Sequence, residues 1–461
     1  MPIHLQQDAQ ILPQRDDNST TSSIFRPIHY LGSKLRVVTQ IQNIIESLAP
    51  EGSTICDIFS GSGTVSHYLA SNYNVIANDI QEYSRVINSG LLCSELNDEK
   101  IAKLQEIIPK AKSSQIYDSL TSIFSNLVFL EKESIQLAEN GNPFPLCDLI
   151  EHGSIICSEL SKPSRNKLSE ELFNCHTKIS NNPLALHHSL ISTYFGGVYF
   201  SYTQAIQFDA IKSQIKLLPL ELQDLGNTVI LNVMSELVNT VGKQFAQPLR
   251  PRDKNGEPKK NLYKTIKKDR EKDVFSYYES ALTLALKNIK YRKGNKSIKG
   301  DFKDISIHYK NDISVIYADP PYTRDHYSRF YHVLETCCLY DFPKISMAKK
   351  NGLIIPSRGI YREDRHQSPF CIRSQAKTAF HSLFELSNHY QASLLISYSP
   401  FENDSGSHPR VLSIDDIADI GKNFSKKIDI ISAGELKHSK LNRSDLHLPA
   451  TSLAETFIIV R

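Results

Sequence analysis

One segment determines the architecture of this chain: Ser53-Thr-Ile-Cys-Asp-Ile-Phe-Ser-Gly-Ser-Gly-Thr-Val-Ser-His-Tyr-Leu-Ala-Ser-Asn-Tyr-Asn-Val-Ile-Ala-Asn-Asp79. Its beginning, Ser53 to Phe59, is mostly apolar, which is typical of a strand buried on both faces. A glycine turn follows at 60–64, residues 65–72 can form a helix, and 74–78 is a second strand candidate that ends at Asp79. Strand, glycine turn, helix and strand together predict the βαβ unit of a parallel sheet.

A second part of the same α/β domain is predicted in the C-terminal third of the chain. Amphipathic patterns there predict helices at 375–390 and 413–424, the latter opened by Ser413 as an N-cap. Four apolar runs are strand candidates: Ser314–Ala318, Ser393–Tyr398, Ile428–Ile431 and Thr456–Val460. We therefore expect residues 25–96 and 292–461 to form one domain.

The middle of the chain, residues 97–291, has a different character. Helical periodicity is clearest at 206–218 and 222–241, and strand patterns are few, so this region is predicted to be a mainly helical insertion. Residues 1–24 are polar and lack the basic start and apolar stretch of a secretory signal, so we expect a mobile N-terminal arm.

The composition excludes several classes of protein. Of 461 residues, 40% are hydrophobic and 22% are charged, which excludes collagen, coiled coil and wholesale disorder. No apolar run approaches the ~20 residues needed to span a bilayer, so we expect no membrane association. The eight cysteines form no CxxC pair, so we predict no metal site and expect a reducing cytoplasm as the location.

The sharpest chemical motif is Asp319-Pro-Pro-Tyr322, directly after the strand candidate that ends at Ala318. A carboxylate in that position lies where open α/β sheets bind ligands. Two prolines make the turn rigid and remove two backbone N–H donors, which leaves their carbonyls facing the site. The arrangement suits a planar amine, since Asp319 and a proline carbonyl can each accept one N–H while the Tyr322 ring stacks on the face. A rigid turn that only ends a strand is the structural alternative.

The turn Ser60-Gly-Ser-Gly-Thr64 suits a ligand that approaches the backbone and the following helix N-terminus closely. The third glycine of the dinucleotide fingerprint GxGxxG is replaced by Ser66, which disfavours NAD and FAD. Asp79 follows the second strand, where an acidic side chain can accept hydrogen bonds from ribose hydroxyls. A purely structural contact between helix and strand explains the glycines about equally well.

The order of these motifs resembles the α-group of DNA adenine methyltransferases, in which cofactor motifs precede a target-recognition region and a catalytic tetrad follows it. Segments 195–201, 245–250 and 327–336 are similar to one bacterial branch of that family, whereas 97–190 match nothing recognisable. The resemblance implies a Rossmann-like class I methyltransferase fold with a mixed, mostly parallel seven-stranded sheet and an inserted helical target-recognition domain. It rests on Tyr30-Leu-Gly32-Ser-Lys34, Asp57-Ile-Phe59-Ser-Gly61-Ser-Gly63, Asp79, Gly300-Asp301-Phe302 and Asp319-Pro-Pro-Tyr322.

The resemblance also implies roles for single residues in binding S-adenosylmethionine and in catalysis. No matched position carries a disabling substitution, so the implied enzyme is active. The methionine end of the cofactor would be held by the motif with Tyr30, Gly32 and Lys34, and the turn beneath it would be formed by Asp57, Phe59, Gly61 and Gly63. Asp79 would bind the ribose, and Asp301 and Phe302 would lie near the adenine. The catalytic tetrad would be Asp319, Pro320, Pro321 and Tyr322.

Positive charge is concentrated in what we call the basic stretch, Arg250–Arg270, with nine basic and three acidic residues in a chain whose net charge is only +3. We predict that it contacts DNA phosphates, although a solvated loop without a partner is the alternative. The residues predicted to bind DNA are Arg250, Arg252, Lys254, Lys259, Lys260, Lys264, Lys267 and Lys268.

Two other groups of side chains leave alternatives open. Tyr199, Phe200 and Tyr202 can stack on bases, but aromatic residues at such spacing are more often core. His326, His332 and Glu335 supply too few ligands for a metal from a single segment, so a structural or DNA-contact role is favoured.

The predicted function is site-specific transfer of a methyl group from S-adenosylmethionine to N6 of a flipped-out adenine in double-stranded DNA. A restriction-modification or phage-defence setting is expected, with a cognate endonuclease or defence subunits as candidate partners. Methylation of cytosine N4 stays open because the amine chemistry is the same. So do a non-catalytic DNA-binding subunit that keeps the fold and, less favoured, methylation of a protein amine or of RNA.

Overall fold

The structure is a computed structural model of the chain, and it describes residues 26–160, 166–321, 327–350, 352–398, 411–424, 427–432 and 455–461. The predicted N-terminal arm lies outside these residues. Within them, strands form one large sheet and one hairpin. The strands are β1 Thr54–Asp57, β2 Asn74–Asp79, β3 Lys296–Lys299, β4 Val315–Ala318, β5 Met347–Lys350, β6 Leu353–Pro356, β7 Ser393–Tyr398, β8 Ile428–Ser432 and β9 Thr456–Val460.

The large sheet has seven strands in the order β3-β2-β1-β4-β7-β9-β8. The first five are parallel to one another, and β9 alone runs antiparallel to both of its neighbours. The central strands are apolar on both faces because helices cover both; Ile55 and Cys56 of β1, for example, are fully buried. The predicted mixed, mostly parallel seven-stranded sheet is thereby confirmed.

Helices surround this sheet and fill the middle of the chain. No helix in the described part combines the length and the apolar character that crossing a bilayer requires. The α-helices are α1 Val38–Leu48, α2 Thr64–Leu69, α3 Glu82–Leu92, α4 Asp98–Gln105, α5 Ile107–Lys112, α6 Gln115–Ile123, α7 Ser125–Glu139, α8 Phe144–His152, α9 Ile155–Glu159, α10 Lys167–Ser180, α11 Pro183–His188, α12 Leu190–Phe195, α13 Tyr202–Ile215, α14 Leu220–Leu237, α15 Leu262–Arg270, α16 Val274–Lys287, α17 Ile305–His308, α18 Tyr327–Phe330, α19 His332–Leu339, α20 Arg373–Tyr390 and α21 Ile414–Lys422.

The inserted region is helical, as the sequence predicts: its described residues hold α4 to α16 and no strand. It packs directly on the α/β part, since Ile87 of α3 and Leu225 and Ile230 of α14 belong to one hydrophobic cluster. Phe200 and Tyr202 are fully buried, so the core interpretation of that aromatic group is the one the structure supports.

Three strands escaped the sequence analysis. Strand β3, Lys-Ser-Ile-Lys, is an edge strand whose charged and polar residues hide the apolar pattern. Strands β5 and β6 form an antiparallel hairpin at a Lys-Asn-Gly-Leu sequence, typical of a tight hairpin turn, and Gly352 has a φ of +80°. The predicted helix 65–72 is also shorter, because α2 ends at Leu69 and the chain then turns towards β2.

Candidate active site

A pocket opens at the edge of the sheet where the parallel strands end. The carboxyl ends of β1, β2 and β4 meet there because these neighbouring strands run in the same direction. The pocket encloses about 1050 Å³ including its open mouth. Among its lining residues are seven of the ten predicted to bind the cofactor and three of the four predicted to be catalytic: Tyr30, Gly32, Lys34, Phe59, Asp79, Asp301, Phe302, Asp319, Pro320 and Pro321.

The glycine turn between β1 and α2 has a shape that only glycine permits. Gly61 and Gly63 have φ values of +50° and +77°. A Cβ on Gly61 would lie 2.6 Å from the Tyr30 hydroxyl oxygen, and one on Gly63 would lie 2.6 Å from Asn88 Oδ1. Neither glycine lines the pocket. The turn therefore brings the backbone close to Tyr30, which does line it.

Asp79 is fixed at the pocket wall by backbone donors. Its two carboxylate oxygens accept hydrogen bonds from the N–H groups of Gly61 and Gln81, each at 2.9 Å. Burial raises the pKa of this carboxyl, while the backbone donors oppose that effect. The glycine turn and the end of β2 are therefore joined through the side chain that the sequence predicts as the ribose ligand.

Asp57 was predicted to contact the cofactor, but its side chain is buried behind the pocket wall. It is 1% exposed at the end of β1 and does not line the pocket. The Ser66 hydroxyl donates to Asp57 Oδ2 at 2.6 Å, which ties β1 to α2. Burial raises the pKa of Asp57 to about 7. In this structure the side chain supports the turn from behind.

Asp319 is held by an ion-pair network at the end of β4. Lys34 Nζ lies 3.0 Å from Asp319 Oδ1 and 3.2 Å from Glu455 Oε1, and the Ser397 hydroxyl donates to the same Glu455 oxygen at 2.9 Å. Burial raises the pKa of Asp319 to about 6, the Lys34 ammonium opposes this, and the Glu455 charge adds to it. Lys34 thereby favours the ionised carboxylate in a pocket that otherwise disfavours it.

Glu455 is a site residue that the sequence analysis missed. It is 5% exposed and immediately precedes β9. Because β9 runs antiparallel to β7, with Thr456 opposite Tyr398, its beginning lies at the same edge as the carboxyl ends of β4 and β7. No sequence motif marks Glu455, and a residue that precedes a strand lies at this edge only where that strand runs antiparallel to its neighbours.

Three phenylalanines form an apolar wall of the pocket. The ring centroids of Phe59 and Phe302 are 5.6 Å apart, and those of Phe59 and Phe370 are 5.3 Å apart. Phe370 belongs to the segment 366–371, which lines the pocket although no sequence motif marks it. Asp301 beside Phe302 caps the following short 3-10 helix, its Oδ1 accepting from the Lys303 N–H at 3.1 Å. Aromatic rings beside carboxylates suit a flat ring that carries polar groups.

Tyr322 and His326 lie outside the described residues. The other two members of the considered metal set have separate structural partners. Glu335 accepts hydrogen bonds from the Glu82 and Tyr83 N–H groups at the beginning of α3, both at 3.0 Å, and His332 Nε2 lies 3.1 Å from the Phe245 carbonyl oxygen. Among the described residues, no group of three or more His, Cys, Asp and Glu side chains is arranged to hold a metal ion.

The basic stretch is divided between paired and solvent-facing charges. Arg252 binds Asp148 and Glu151 of α8, and Lys267 binds Glu139 of α7. Arg270 is buried against Glu131 at 2.6 Å. The remaining basic residues are exposed and form no salt bridge with the described residues: Arg250, Lys254, Lys259, Lys260, Lys264 and Lys268.

Comparison with known proteins links the two sides of this pocket. Residues 30–141 and 252–351 match the family described as D12 class N6 adenine-specific DNA methyltransferase. The chain is similar to D12 class methyltransferases. The matched segments carry the glycine turn and Asp79 on one side of the pocket and Asp319 on the other, so the D12 similarity includes the parts of the chain that form the site.

Two curated proteins are similar along most of the chain. Modification methylase LlaI of Lactococcus lactis subsp. lactis is 22% identical over 448 residues, which are 94% of this chain and 54% of that protein. Type II methyltransferase M.FokI of Planomicrobium okeanokoites is 23% identical over 382 residues, 81% of this chain and 44% of that protein. The chain spans about half the length of the curated relatives it matches.

Proposed function

We propose that this chain transfers a methyl group to the N6 amine of adenine in DNA. The observation that carries the proposal is the Asp319 carboxylate, which lines the pocket at the end of β4, pairs with Lys34 at 3.0 Å and is followed in the pocket wall by Pro320 and Pro321. The D12 similarity supports the same chemistry, and the names of the two relatives support methyl transfer. Tyr322, which follows, is proposed as the fourth member of the catalytic group.

The pocket suits S-adenosylmethionine as the methyl donor. Asp79 and Asp319 give it negative charge, and Phe59 and Phe302 give it an apolar wall, so a cationic molecule with ribose hydroxyls and a purine ring finds complementary partners. Asp79 would accept from the ribose, Phe302 with Asp301 would face the purine, and Tyr30 with Gly32 and Lys34 would hold the amino-acid end. Once bound, S-adenosylmethionine supplies an electrophilic methyl group on sulfur.

Asp319 and its neighbours prepare the adenine amine for attack. The nitrogen lone pair of this amine is delocalised into the ring, so the amine is a weak nucleophile. Hydrogen bonds from its two N–H groups to Asp319 and to the Pro320 carbonyl favour a pyramidal nitrogen with a localised lone pair. The remaining catalysis is positioning and electrostatics, and Asp319 takes the proton that the nitrogen releases after methyl transfer.

The target base has to leave the duplex to reach Asp319. A stacked, paired adenine presents its N6 amine to the partner base, so the enzyme needs to flip the nucleotide into the pocket. Tyr322 supplies a stacking surface in this proposal, and the exposed part of the basic stretch binds phosphates of the surrounding duplex.

Methyl transfer from labelled S-adenosylmethionine to unmethylated bacterial DNA, followed by nucleoside analysis, tests the proposal. We expect the label in N6-methyladenine, and none with an Asp319→Ala variant that still binds the cofactor. Label in N4-methylcytosine would overturn the choice of base. DNA binding without transfer to any nucleoside would favour the non-catalytic subunit.

A restriction-modification role is the biological setting we propose. One relative is named a modification methylase and the other a type II methyltransferase. If this chain has the same role, its methylation protects DNA from a cognate endonuclease. Cleavage of DNA from cells that express the chain, compared with DNA from cells that express Asp319→Ala, would reveal protection once a matching endonuclease is identified.

A further inference from the structure

Four arginines from three parts of the chain lie near one another at the base of the β5–β6 hairpin, and two of them contact the ring of Tyr361. We call Arg250, Arg329, Arg358 and Arg365 the arginine cluster. The guanidinium carbon of Arg365 lies 4.7 Å from the centre of the Tyr361 ring, and that of Arg329 lies 5.8 Å from it. Such distances are typical of cation–π contacts. Three of the four residues lie outside the basic stretch.

The other two arginines join the cluster through the backbone and through charge. Arg358 directs Nη2 to the Leu249 carbonyl oxygen at 2.9 Å, which places it beside Arg250. Burial lowers the pKa of Arg358, and the charge of Arg250 adds to that effect; burial and the charge of Arg329 do the same to the pKa of Arg365. The positive charges are therefore close enough to repel one another.

The charge of the cluster is not neutralised within the described residues, where none of its four arginines forms a salt bridge. Arg250 donates to the Gln247 side-chain oxygen, and Arg365 donates to the Arg362 carbonyl oxygen. Glu151, whose negative charge acts on Arg358, is already hydrogen-bonded to Arg252. Arg362 provides a contrast in the same segment, because it is 4% exposed and bound to both Asp341 and Asp364.

Two members of the cluster, Arg329 and Arg365, are sequence neighbours of residues that line the pocket. Ser328, which precedes Arg329, and His366, which follows Arg365, both line the pocket that holds Asp319. The same two residues line an adjoining cavity of about 540 Å³ together with Arg365. The backbone of Tyr361 is tied to the hairpin, since Ser346, just before β5, donates its N–H to the Tyr361 carbonyl oxygen at 2.8 Å.

We propose that the arginine cluster binds backbone phosphates of the DNA strand that delivers its base to the pocket. This inference rests on the proposed function. Guanidinium groups match the geometry of phosphate oxygens, and a group of uncompensated arginines gains most from an anionic partner. Because Arg329 and Arg365 adjoin residues that line the pocket, this contact lies within reach of the flipped nucleotide and fixes the strand during transfer.

The salt dependence of DNA binding tests the proposal. Binding of a 30-base-pair duplex of arbitrary sequence would be measured between about 50 and 200 mM salt for the wild type and for Arg329→Gln/Arg358→Gln/Arg365→Gln. Each phosphate contact contributes about 0.9 to the slope of log affinity against log salt. We expect the slope to fall by about two to three units in the triple variant, with an affinity loss of roughly tenfold or more at the lower salt.

A charge-matched control separates local contact from net charge. Lys103, Lys110 and Lys422 are surface lysines, each paired with an acid on its own helix, so Lys103→Gln/Lys110→Gln/Lys422→Gln removes the same number of charges elsewhere. We expect its slope to stay near that of the wild type. Cofactor binding by calorimetry would verify folding, and the exposed single variant Arg329→Gln replaces the triple variant if that fails to fold.

The outcomes distinguish this inference from the proposed function. If the wild type methylates DNA and the arginine variant binds with an unchanged slope, or if the lysine control loses as much, the cluster is not the phosphate site. If the wild type neither binds nor methylates DNA, the proposed function fails first. Retained methylation with a reduced slope and a raised KM for DNA in the arginine variant alone supports both.

Discussion

The pocket edge of the sheet and the basic stretch hold their charges in opposite ways. In the pocket, Lys34, Asp319 and Glu455 come from three distant segments and form a network of ion pairs around the buried lysine. The basic stretch is one continuous segment whose charges either pair with the neighbouring helices α7 and α8 or face solvent. The first arrangement holds the side chains in place through ion pairs, and the second leaves the exposed side chains able to adapt to a partner.

Charged residues that are consecutive in the sequence therefore do not all lie on one surface of the folded chain. Arg270 and Lys268 are two residues apart, yet Arg270 is buried and paired with Glu131 whereas Lys268 is exposed. Conversely, the arginine cluster assembles from residues up to 115 positions apart, Arg250 to Arg365. The contrast predicts that substitutions in the stretch separate into folding effects and DNA-binding effects, while those in the pocket change chemistry.

The largest effect is expected from Arg270→Met. The change leaves Glu131, whose side chain is 5% exposed, without its partner at 2.6 Å, and breaking a buried ion pair from one side costs about 3–5 kcal/mol. We expect the free energy of unfolding, measured by urea denaturation, to fall by that amount. Lys268→Met on the same helix is the control, with an expected change within about 0.5 kcal/mol. Equal losses would mean that the stretch is not divided as described.

Asp319→Asn is expected to have the next largest effect, on methyl transfer. The amide keeps the shape of the side chain but loses the charge that orients the amine and takes its proton. We expect kcat to fall about 10²–10³-fold, the range typical for removing one electrostatic contact to a transition state. Single-turnover transfer to DNA would measure it.

DNA affinity provides the contrast for Asp319→Asn, because the charges proposed to bind phosphates lie elsewhere. We expect an unchanged dissociation constant for duplex DNA. Asp304→Asn changes an exposed carboxylate two residues after the pocket residue Phe302 and should match the wild type in both measurements. If Asp319→Asn weakened DNA binding as much as it slowed methyl transfer, catalysis and DNA binding would not belong to separate regions of the molecule.

Sequence sufficed for the parts of the fold in which local pattern and burial agree. Strands β7 and β9 begin and end as predicted, because each is an apolar run buried on both faces, and Ser413 caps α21 through a capping box. Strand β3 was not predicted, because it lies at the edge of the sheet, where exposed residues such as Lys296 and Lys299 replace the apolar pattern of a central strand. Edge strands are set by the neighbour that they pair with, here β2, and not by their own composition.

The candidate site was predicted where motif residues follow a parallel strand. Asp79 and Asp319 lie at the pocket for that reason. Glu455 and Phe370 were not predicted, because the first depends on the reversed direction of β9 and the second on a long connection before α20. The arginine cluster was missed for the same physical reason: its members meet only through the packing of the hairpin base against α18 and the start of the basic stretch.

Gly61→Ala tests whether the close approach of the glycine turn to Tyr30 is needed for cofactor binding. The new Cβ would lie 2.6 Å from the Tyr30 hydroxyl oxygen, in addition to the cost of about 1 kcal/mol for a side chain at positive φ. We expect the affinity for S-adenosylmethionine, measured by calorimetry, to fall roughly tenfold or more, since 1.4 kcal/mol corresponds to that factor. Gly52→Ala is the matched control, because Gly52 has a φ of +85° and no atom within 4 Å of the added Cβ. Similar losses of cofactor affinity in both variants would contradict close approach as the cause.

The pH dependence of methyl transfer distinguishes the pocket from the surface. Burial raises the pKa of Asp319 to about 6, and the proposed chemistry needs the ionised form. We therefore expect kcat/KM to be level above about pH 6 and to fall up to tenfold per unit below it. DNA binding through arginines should not change over the same range, because their guanidinium groups stay charged.

Glu455→Gln tests the cause of that pH dependence. The negative charge of Glu455 raises the pKa of Asp319, and its removal also leaves Lys34 more fully to Asp319. Both changes favour the carboxylate, so the decline in kcat/KM should move to lower pH. A decline that moves upward, or stays in place, would show that another group titrates.

The smallest effect per residue is expected from the exposed lysines of the basic stretch. Four of these lysines are exposed: Lys254, Lys259, Lys260 and Lys264. A lysine ammonium is a hydrated point charge on a flexible side chain, and it lacks the planar, forked hydrogen-bond donors of a guanidinium group. Replacing all four with Gln should lower the slope of log DNA affinity against log salt by less than about 0.9 per lysine, because not every lysine then contacts a phosphate. A fall as large per residue as that of the arginine variant would make the stretch the principal DNA surface. An unchanged slope would leave it as a solvated segment, and the arginine cluster would then carry the phosphate contacts alone.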